Sequence, residues 1–508
     1  MSLGINAVKK SNSIFSFYLI LVVISSIILK LIYFPHGIPL TVDSLEYFLY
    51  ASNIVALNDL PDSWMPINNG WSIFLSFWFY LIPLENVMNF MDLQRLISIT
   101  ISSLTAFPIY FLCKKFVKKE YAIFASTLFV FEPRIILNSI YGLSEPLFII
   151  LGISSLVFFL KNDYKSIFIS SILGAFCILV RGEGIFFIFA LLILFFLKNK
   201  INLGSFKRII PAIGIFAIIV LPVLIHRVKI TGSDGVFLRA TQTIYDTPEI
   251  NHISIFESIY LTFEMLIKFF GWVTIPMFIV LIPIGIYVYL KKRNSENNFI
   301  IVIIGLMLIP ILYAYSIGIE ETRYLYFIFP LFCLISAMGL EKIFHKNQYR
   351  NIFLIFALIL SILVSVIFYD LKQDDWRMNI QKELEYIQIS KEINQIVFGV
   401  NHNPIIGRYM YSIQLLENWP INIEKFQTEK KIIPWKKYNS IEDFIFENKA
   451  DLTHLVIDNE SDLPDYLANI FTNKPEFLEM TYNSKNNGFQ YEFRVFKIDY
   501  KRFNEFVG

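Results

Sequence analysis

Long apolar runs alternate with short Lys/Arg clusters along this chain, and the clusters fall at every second end of those runs. Few folds accommodate that pattern. About 20 predominantly apolar residues cross a bilayer as a helix, and in lipid the backbone of such a run has to bond to itself. The candidate spans are roughly 14–33, 95–113, 121–138, 146–160, 166–180, 184–197, 209–226, 269–290, 299–318, 324–340 and 352–369, about eleven in all. Basic residues at membrane helix ends mark the cytoplasmic side. Lys9/Lys10, Lys114/Lys115/Lys118/Lys119, Lys161/Lys165, Lys198/Lys200/Lys207/Arg208, Lys291/Lys292/Arg293 and Lys342/Lys346/Arg350 all reach that side if every span is real. The expected topology has a cytoplasmic N-terminus, with 34–94, 227–268 and everything after about 370 outside. The first run follows Lys9 and Lys10 as a signal peptide would. It is long enough to span and no small-residue cleavage site follows, so a retained helix is expected.

Composition agrees with a polytopic α-helical membrane protein. The chain is 55% hydrophobic and 17% charged, against roughly 45–50% and about 25% in soluble domains. A net charge of +2 without a basic stripe excludes a nucleic-acid partner. Cys113, Cys177 and Cys333 lie in apolar runs, too far apart for a metal motif.

The first outer loop is unusual. From Phe34 to Gln94 there is no Lys or Arg, yet Asp43, Glu46, Asp59, Asp62, Glu85 and Asp92 are all present. Long loops on a rigid scaffold are where binding and catalysis concentrate. Within this loop, Gly70–Leu84 reads as a half-inserted helix with Trp71, Trp78 and Tyr80 near headgroup depth, or as a short span. Residues 1–370 form the membrane domain. Beyond Asp370 the chain turns polar. Helical patterns over Lys382–Val397, Ser440–Asn448 and Pro464–Asn473 alternate with strand patterns over Thr453–Asn459 and Tyr491–Ile498. A small extracytoplasmic α/β domain over 371–508 is expected. It carries no Gly-rich phosphate loop, and His402 and His454 are isolated.

Ionisable residues are costly inside membrane helices and are functional candidates there. Glu132, Arg134, Glu145, Arg181, Glu183, Arg227, Glu320, Glu321 and Arg323 crowd the outer ends of the runs, as an interface enzyme needs. A transporter places charge at the midplane. In Thr41–Tyr47 (TVDSLEY) a helix puts Asp43 and Glu46 on one face; the pair equally suits an N-cap with a capping box. Glu145 opens a run, where it could simply complement the helix dipole. Arg181 and Arg323 could grip phosphate oxygens bidentately or snorkel to the interface. His226, Arg227 and Lys229 form a basic cluster opening the second long outer loop.

These features together resemble the C superfamily of membrane glycosyltransferases (GT-C), specifically the family of protein mannosyltransferases and lipid A aminoarabinose transferases. The resemblance covers about residues 14–345. It rests on the acidic motif Asp43–Tyr47, the short helix Gly70–Leu84, the Arg95–Lys115 span, Leu143–Pro146 (LSEP), Leu179–Gly184 (LVRGEG) and Thr322–Leu325 (TRYL) followed by Pro330. It implies a sugar donor on a polyprenyl or dolichyl phosphate and Asp43 as catalytic base. Members often carry two adjacent acids, whereas Ser44 and Leu45 here separate Asp43 from Glu46. The Trp-Trp-Asp-Tyr-Gly signature of oligosaccharyltransferases is absent, which argues against transfer of a whole oligosaccharide.

The expected activity is therefore inverting sugar transfer at the outer face to a hydroxyl of a protein, lipid or glycan. Asp43 and Glu46 are the catalytic candidates, and Arg181, Arg227 and Arg323 the donor-phosphate ligands. Glu145, Tyr47 and Tyr324 bind acceptor or support the site. No cofactor is required, although the acidic loop could bind a divalent cation. The rival readings are a transporter or flippase of a lipid-linked sugar, and a polytopic receptor or scaffold.

Overall fold

A computed structural model describes residues 2–40, 42–61, 65–66, 68–82, 84, 87–199, 202–232, 255–274, 281–291, 298–344, 350–407, 431–433, 438, 440–461 and 463–507. Its helices are α1 (Ser2–Ile32), α2 (Val42–Leu57), α3 (Gly70–Leu81), α4 (Val87–Leu104), α5 (Ala106–Cys113), α6 (Lys119–Val130), α7 (Pro133–Ile140), α8 (Glu145–Phe159), α9 (Tyr164–Val180), α10 (Gly184–Asn199), α11 (Leu203–Thr231), α12 (Ile255–Thr274), α13 (Leu281–Lys291), α14 (Phe299–Ser316), α15 (Phe329–Ile343) and α16 (Arg350–Ile396). Beyond them lie β1 (Gly399–Asn401), β2 (Lys431–Ile433), α17 (Ile441–Glu447), β3 (His454–Asp458), α18 (Asp465–Ala468), β4 (Leu478–Asn483), β5 (Phe493–Ile498) and α19 (Tyr500–Val507).

Among the described residues, four helical stretches are long and apolar enough to cross a membrane: Phe15–Ile32, Val87–Cys113, Leu203–Thr231 and Phe299–Ser316. The pair α6–α7 makes a fifth if its 54° bend lies within one span. Shorter apolar helices include α8, α9, α10 and α13. The stretch expected as one span over 269–290 is not one helix. It takes in the end of α12, residues 275–280 outside the described set, and α13. Glu257, Glu264 and Lys268 interrupt the apolar run of α12. It buries Thr262, Phe269 and Val273 while exposing Ile259, Tyr260, Phe263 and Ile267.

Local chemistry sets the helix ends. The Asp163 and Asn202 side chains accept from the backbone N–H of Ser166 and Ser205, each at 2.9 Å, and so cap α9 and α11. Gly232, at φ 67°, closes α11 in the left-handed region. Glu132 caps α7, its Oε2 accepting from the Ile135 N–H at 2.7 Å, and Pro133 follows at the first helical position. That cap and that proline break the expected 121–138 span.

The helix expected at Gly70–Leu84 spans Gly70–Leu81. Trp71 is fully buried within the protein, and its indole N–H donates to the Gly142 carbonyl at 3.1 Å. A Cβ on Gly70 would fall 2.4 Å from the Leu179 carbonyl carbon. Only glycine lets α3 begin against the end of α9, two residues before Arg181.

α16 runs unbroken across residue 370, where the sequence changes character, and enters the C-terminal unit. There a five-stranded sheet has the order β2-β1-β3-β5-β4, with β1 parallel to both β2 and β3, and β5 antiparallel to β3 and β4. Alternation along β3 turns Leu455 and Ile457 to a core with Phe444, Leu467 and Phe503. Val456 faces the other side, against Ile389, Ile393 and Val397 from α16 and the residue after it.

Candidate active site

Four sequence segments converge on one cluster of charge. Asp43 stands in the first turn of α2 rather than at its N-cap, and its Oδ2 lies 2.5 Å from Nη1 of Arg323. Arg323 belongs to a 3-10 turn, Thr322–Leu325, ahead of α15. The same Nη1 is 4.0 Å from Glu145 Oε1, and Arg323 Nε is 3.4 Å from Glu321. Glu145, the first residue of α8, also pairs with Arg181 and accepts from the Asn138 amide at 3.2 Å. Arg181 Nη2 reaches Glu183 at 2.9 Å. The chain of contacts is thus Asp43–Arg323–Glu145–Arg181–Glu183.

Burial separates these groups. Glu145 is 3% exposed, so it is no solvated helix-end charge, whereas Asp43 keeps 32% of its side chain accessible. Burial opposes the charge on Arg181, but Glu183 and Glu145 outweigh it and hold the guanidinium firmly protonated. Burial likewise opposes the charge on Arg323, where Glu145, Asp43 and Glu321 prevail. Burial would also raise Glu183; Arg181 beside it keeps the carboxyl below its usual range. Burial pushes the Tyr47 phenol up to about 12, against the pull of Arg181, so it stays a neutral hydrogen-bonding group.

A cavity opens at this cluster. Glu145, Arg181, Glu183, Arg323 and Tyr324 supply its polar side, and Phe148, Met307, Ile311 and Phe327 its apolar side. The Tyr324 ring centre lies 5.8 Å from the Arg181 guanidinium carbon, within cation–π range.

Of the expected site residues, the structure brings Asp43, Glu145, Arg181, Arg323 and Tyr324 together, with Tyr47 beside them. Glu46 is exposed and is not part of the cavity lining, although it shares the first turns of α2. Arg227 is buried; it donates to the Pro66 carbonyl at 2.6 Å and to Asn69 at 3.3 Å, serving the outer loop. Asp62 and Glu85 lie outside the described residues. Asn138 and Gln94 were missed because neutral amides in or beside apolar runs draw no attention; a search for polar side chains within the spans would have found Asn138, at the end of 121–138, but not Gln94, just ahead of 95–113.

Among the described residues, no three His, Cys, Asp or Glu side chains are grouped as ligands. The cationic group between Asp43 and Glu145 is the Arg323 guanidinium.

Comparison with known proteins gives the fold its context. The sequence pattern of the Alg9-like mannosyltransferase family matches residues 252–413, less than half of the chain and mostly outside the region carrying the acidic motif. Compared with curated proteins, the sequence has no significant match. Among solved structures, ArnT from Cupriavidus metallidurans bound to undecaprenyl phosphate is similar, with a TM-score of 0.55 at 10% identity, over 95% of this chain and 98% of that one. The Archaeoglobus fulgidus oligosaccharyltransferase complex with Zn and sulfate has a TM-score of 0.54 at 15% identity, over 87% of this chain and 68% of that one. The same organism's AglB, with an inhibitory peptide and a dolichol-phosphate, has a TM-score of 0.53 at 12% identity, over 87% and 69%. In fold over most of its length, and in sequence over 252–413, the chain resembles the GT-C membrane glycosyltransferases.

Proposed function

We propose that this integral membrane protein is an inverting glycosyltransferase that moves a sugar from a polyprenyl or dolichyl phosphate to an acceptor hydroxyl at the outer membrane face. One observation carries the reading: a part-exposed carboxylate, Asp43, shares Arg323 with the buried Arg181/Glu145 cluster, and that cluster forms one wall of a small pocket with an apolar wall opposite. The hydrocarbon tail lies along the apolar side. Arg181 and Arg323 take the phosphate oxygens, and Arg227 joins them if the loop releases it. Arg323 Nε, now 3.4 Å from the Glu321 carboxylate, offers a second donor on the same guanidinium.

In the reaction, Asp43 accepts the acceptor hydroxyl's proton while that oxygen attacks the anomeric carbon from the face opposite the phosphate. The bond from the anomeric carbon to the phosphate oxygen breaks, its electron pair stays on the phosphate, and the arginines stabilise that charge. Phosphate leaves readily, so no second carboxylic acid is needed. Donor phosphate and Asp43 compete for Arg323, and donor binding frees the base. Tyr47 and Tyr324 shape the acceptor and donor sides, Glu145 holds both arginines, and Glu46 orients the acceptor. No step needs a metal ion. The basic clusters support a cytoplasmic N-terminus and a C-terminal unit outside.

The test is the set of glycans and glycolipids in cells with and without the gene, read by mass spectrometry. One sugar-bearing species should disappear while its lipid-phosphate sugar accumulates. An unchanged profile of both would refute the reading.

A further inference from the structure

The geometry points to Gln94 as a positioning residue whose amide sets the separation of the Asp43 and Glu145 segments; the inference rests on the function proposed above. Gln94 lies on α4, outside the charged cluster, and is fully buried. Its Nε2 donates to the Ser44 carbonyl at 2.9 Å and to the Gly142 carbonyl at 3.0 Å. Ser44 follows Asp43 directly, and Gly142 precedes Glu145 by three residues. One amide therefore ties the segment bearing the base to the segment whose carboxylate carries both arginines.

The neighbours of Gln94 on α4 continue the clamp. Arg95 donates to the carbonyls of Ile38 at 2.7 Å and Pro39 at 3.0 Å, just ahead of Asp43. Ser98 donates to the Leu143 carbonyl at 3.3 Å. Across the gap, the Ser44 hydroxyl donates to the Tyr141 carbonyl at 2.6 Å. Gly142 sits at φ 73°, and a Cβ there would come 3.3 Å from Gln94 Cγ. Glycine thus meets both the backbone conformation and the close approach that Gln94 requires.

Sugar transfer demands this spacing. The base must meet the acceptor oxygen on one side of the anomeric carbon while the arginines hold phosphate on the other. A misplacement of about 1 Å can cost on the order of 10²-fold in rate. Both carbonyls already accept from the Gln94 amide, so Gln94 acts through Asp43 and Glu145.

The test uses Gln94→Met, which keeps the volume and removes both donors, in the full-length purified protein. Titration with undecaprenyl phosphate counts folded sites, and turnover of an extracted lipid-linked sugar pool is expressed per site. Turnover should fall about 10–100-fold while undecaprenyl phosphate affinity changes by less than about threefold. In the Asp43→Asn background, Gln94→Met should cost less than about twofold more, because coupled residues are not additive. Wild-type turnover per site, or the full loss repeated in the Asp43→Asn background, overturns the inference. If Gln94→Met yields no folded sites, Gln94→Asn replaces it; its shorter amide reaches one carbonyl at a time, and a wild-type rate there is equally fatal. Wild-type turnover by Asp43→Asn alone, or a wild-type protein that binds no undecaprenyl phosphate, sinks the proposed function itself.

Discussion

Replacing Asp43 by Asn should move catalysis and donor binding in opposite directions. Asn matches Asp in shape but cannot take a proton, and loss of a general base costs about 10²–10⁴-fold in rate. Donor binding responds to the other partner. Asp43 and Arg323 are 2.5 Å apart with side chains 32% and 22% exposed. Ion pairs open to water contribute only about 0.2–1 kcal/mol, since solvent screens them and ordering two side chains costs entropy. A donor phosphate entering the site must displace that pairing. Removing about 1 kcal/mol of competition should tighten lipid-phosphate binding up to about fivefold. The change also takes one negative charge from a cluster in which, among the described residues, Asp43, Glu145, Glu183 and Glu321 pair with Arg181 and Arg323. The assay pairs turnover of a purified lipid-linked sugar pool with equilibrium binding of undecaprenyl phosphate. Wild-type turnover would refute the base assignment. Weaker donor binding by correctly folded protein would refute the competition for Arg323 even if the rate falls.

Arg323→Lys keeps the charge but loses the planar fork, so lipid-phosphate affinity should drop about tenfold or more, with thermal stability nearly unchanged; equal affinity would assign Arg323 to the interface instead. Arg227→Ala removes the bonds to Pro66 and Asn69 and should lower stability by about 1.5–3 kcal/mol in a detergent melt. A tenfold loss of donor affinity without that destabilisation would instead place Arg227 on the phosphate. Single cysteines at Asn58 and Asn459 should react with an impermeant thiol reagent in intact cells, whereas one at Lys161 should not. Protection of Asn459 would put the C-terminal unit in the cytoplasm. Gly70→Ala forces a methyl into the Leu179 backbone and should destabilise by about 1–3 kcal/mol or more; an unchanged melt would mean that α3 does not rest on α9.

Much of this protein was legible in one dimension. Apolar run lengths and the spacing of lysines are local quantities, and they marked the runs that hold α1, α4 to α11, α14, α15 and the first part of α16, but not α2 or α12. Period-two alternation found β3 and β5, and helical periodicity found α17 and the end of α16. The short strands β1 and β2, at three residues each, carry too little pattern to stand out. The bend at Glu132–Pro133 escaped as well, because it lies inside a run whose mean hydropathy conceals it. For the site, residue type and sidedness were enough to single out Asp43, Glu145, Arg181 and Arg323. Their pairing was not readable, since Asp43 and Arg323 are 280 residues apart and meet only when α2 and the turn before α15 pack at one end of the bundle. The sequence by itself determined which helices form and which residues carry charge, because propensity and hydropathy act over neighbouring residues. Only the tertiary structure decided that Glu145 is buried between two arginines, that Arg227 serves a loop, and that a neutral amide, Gln94, joins the two acidic segments. Burial and hydrogen bonding are properties of three-dimensional neighbours, and no local rule counts them.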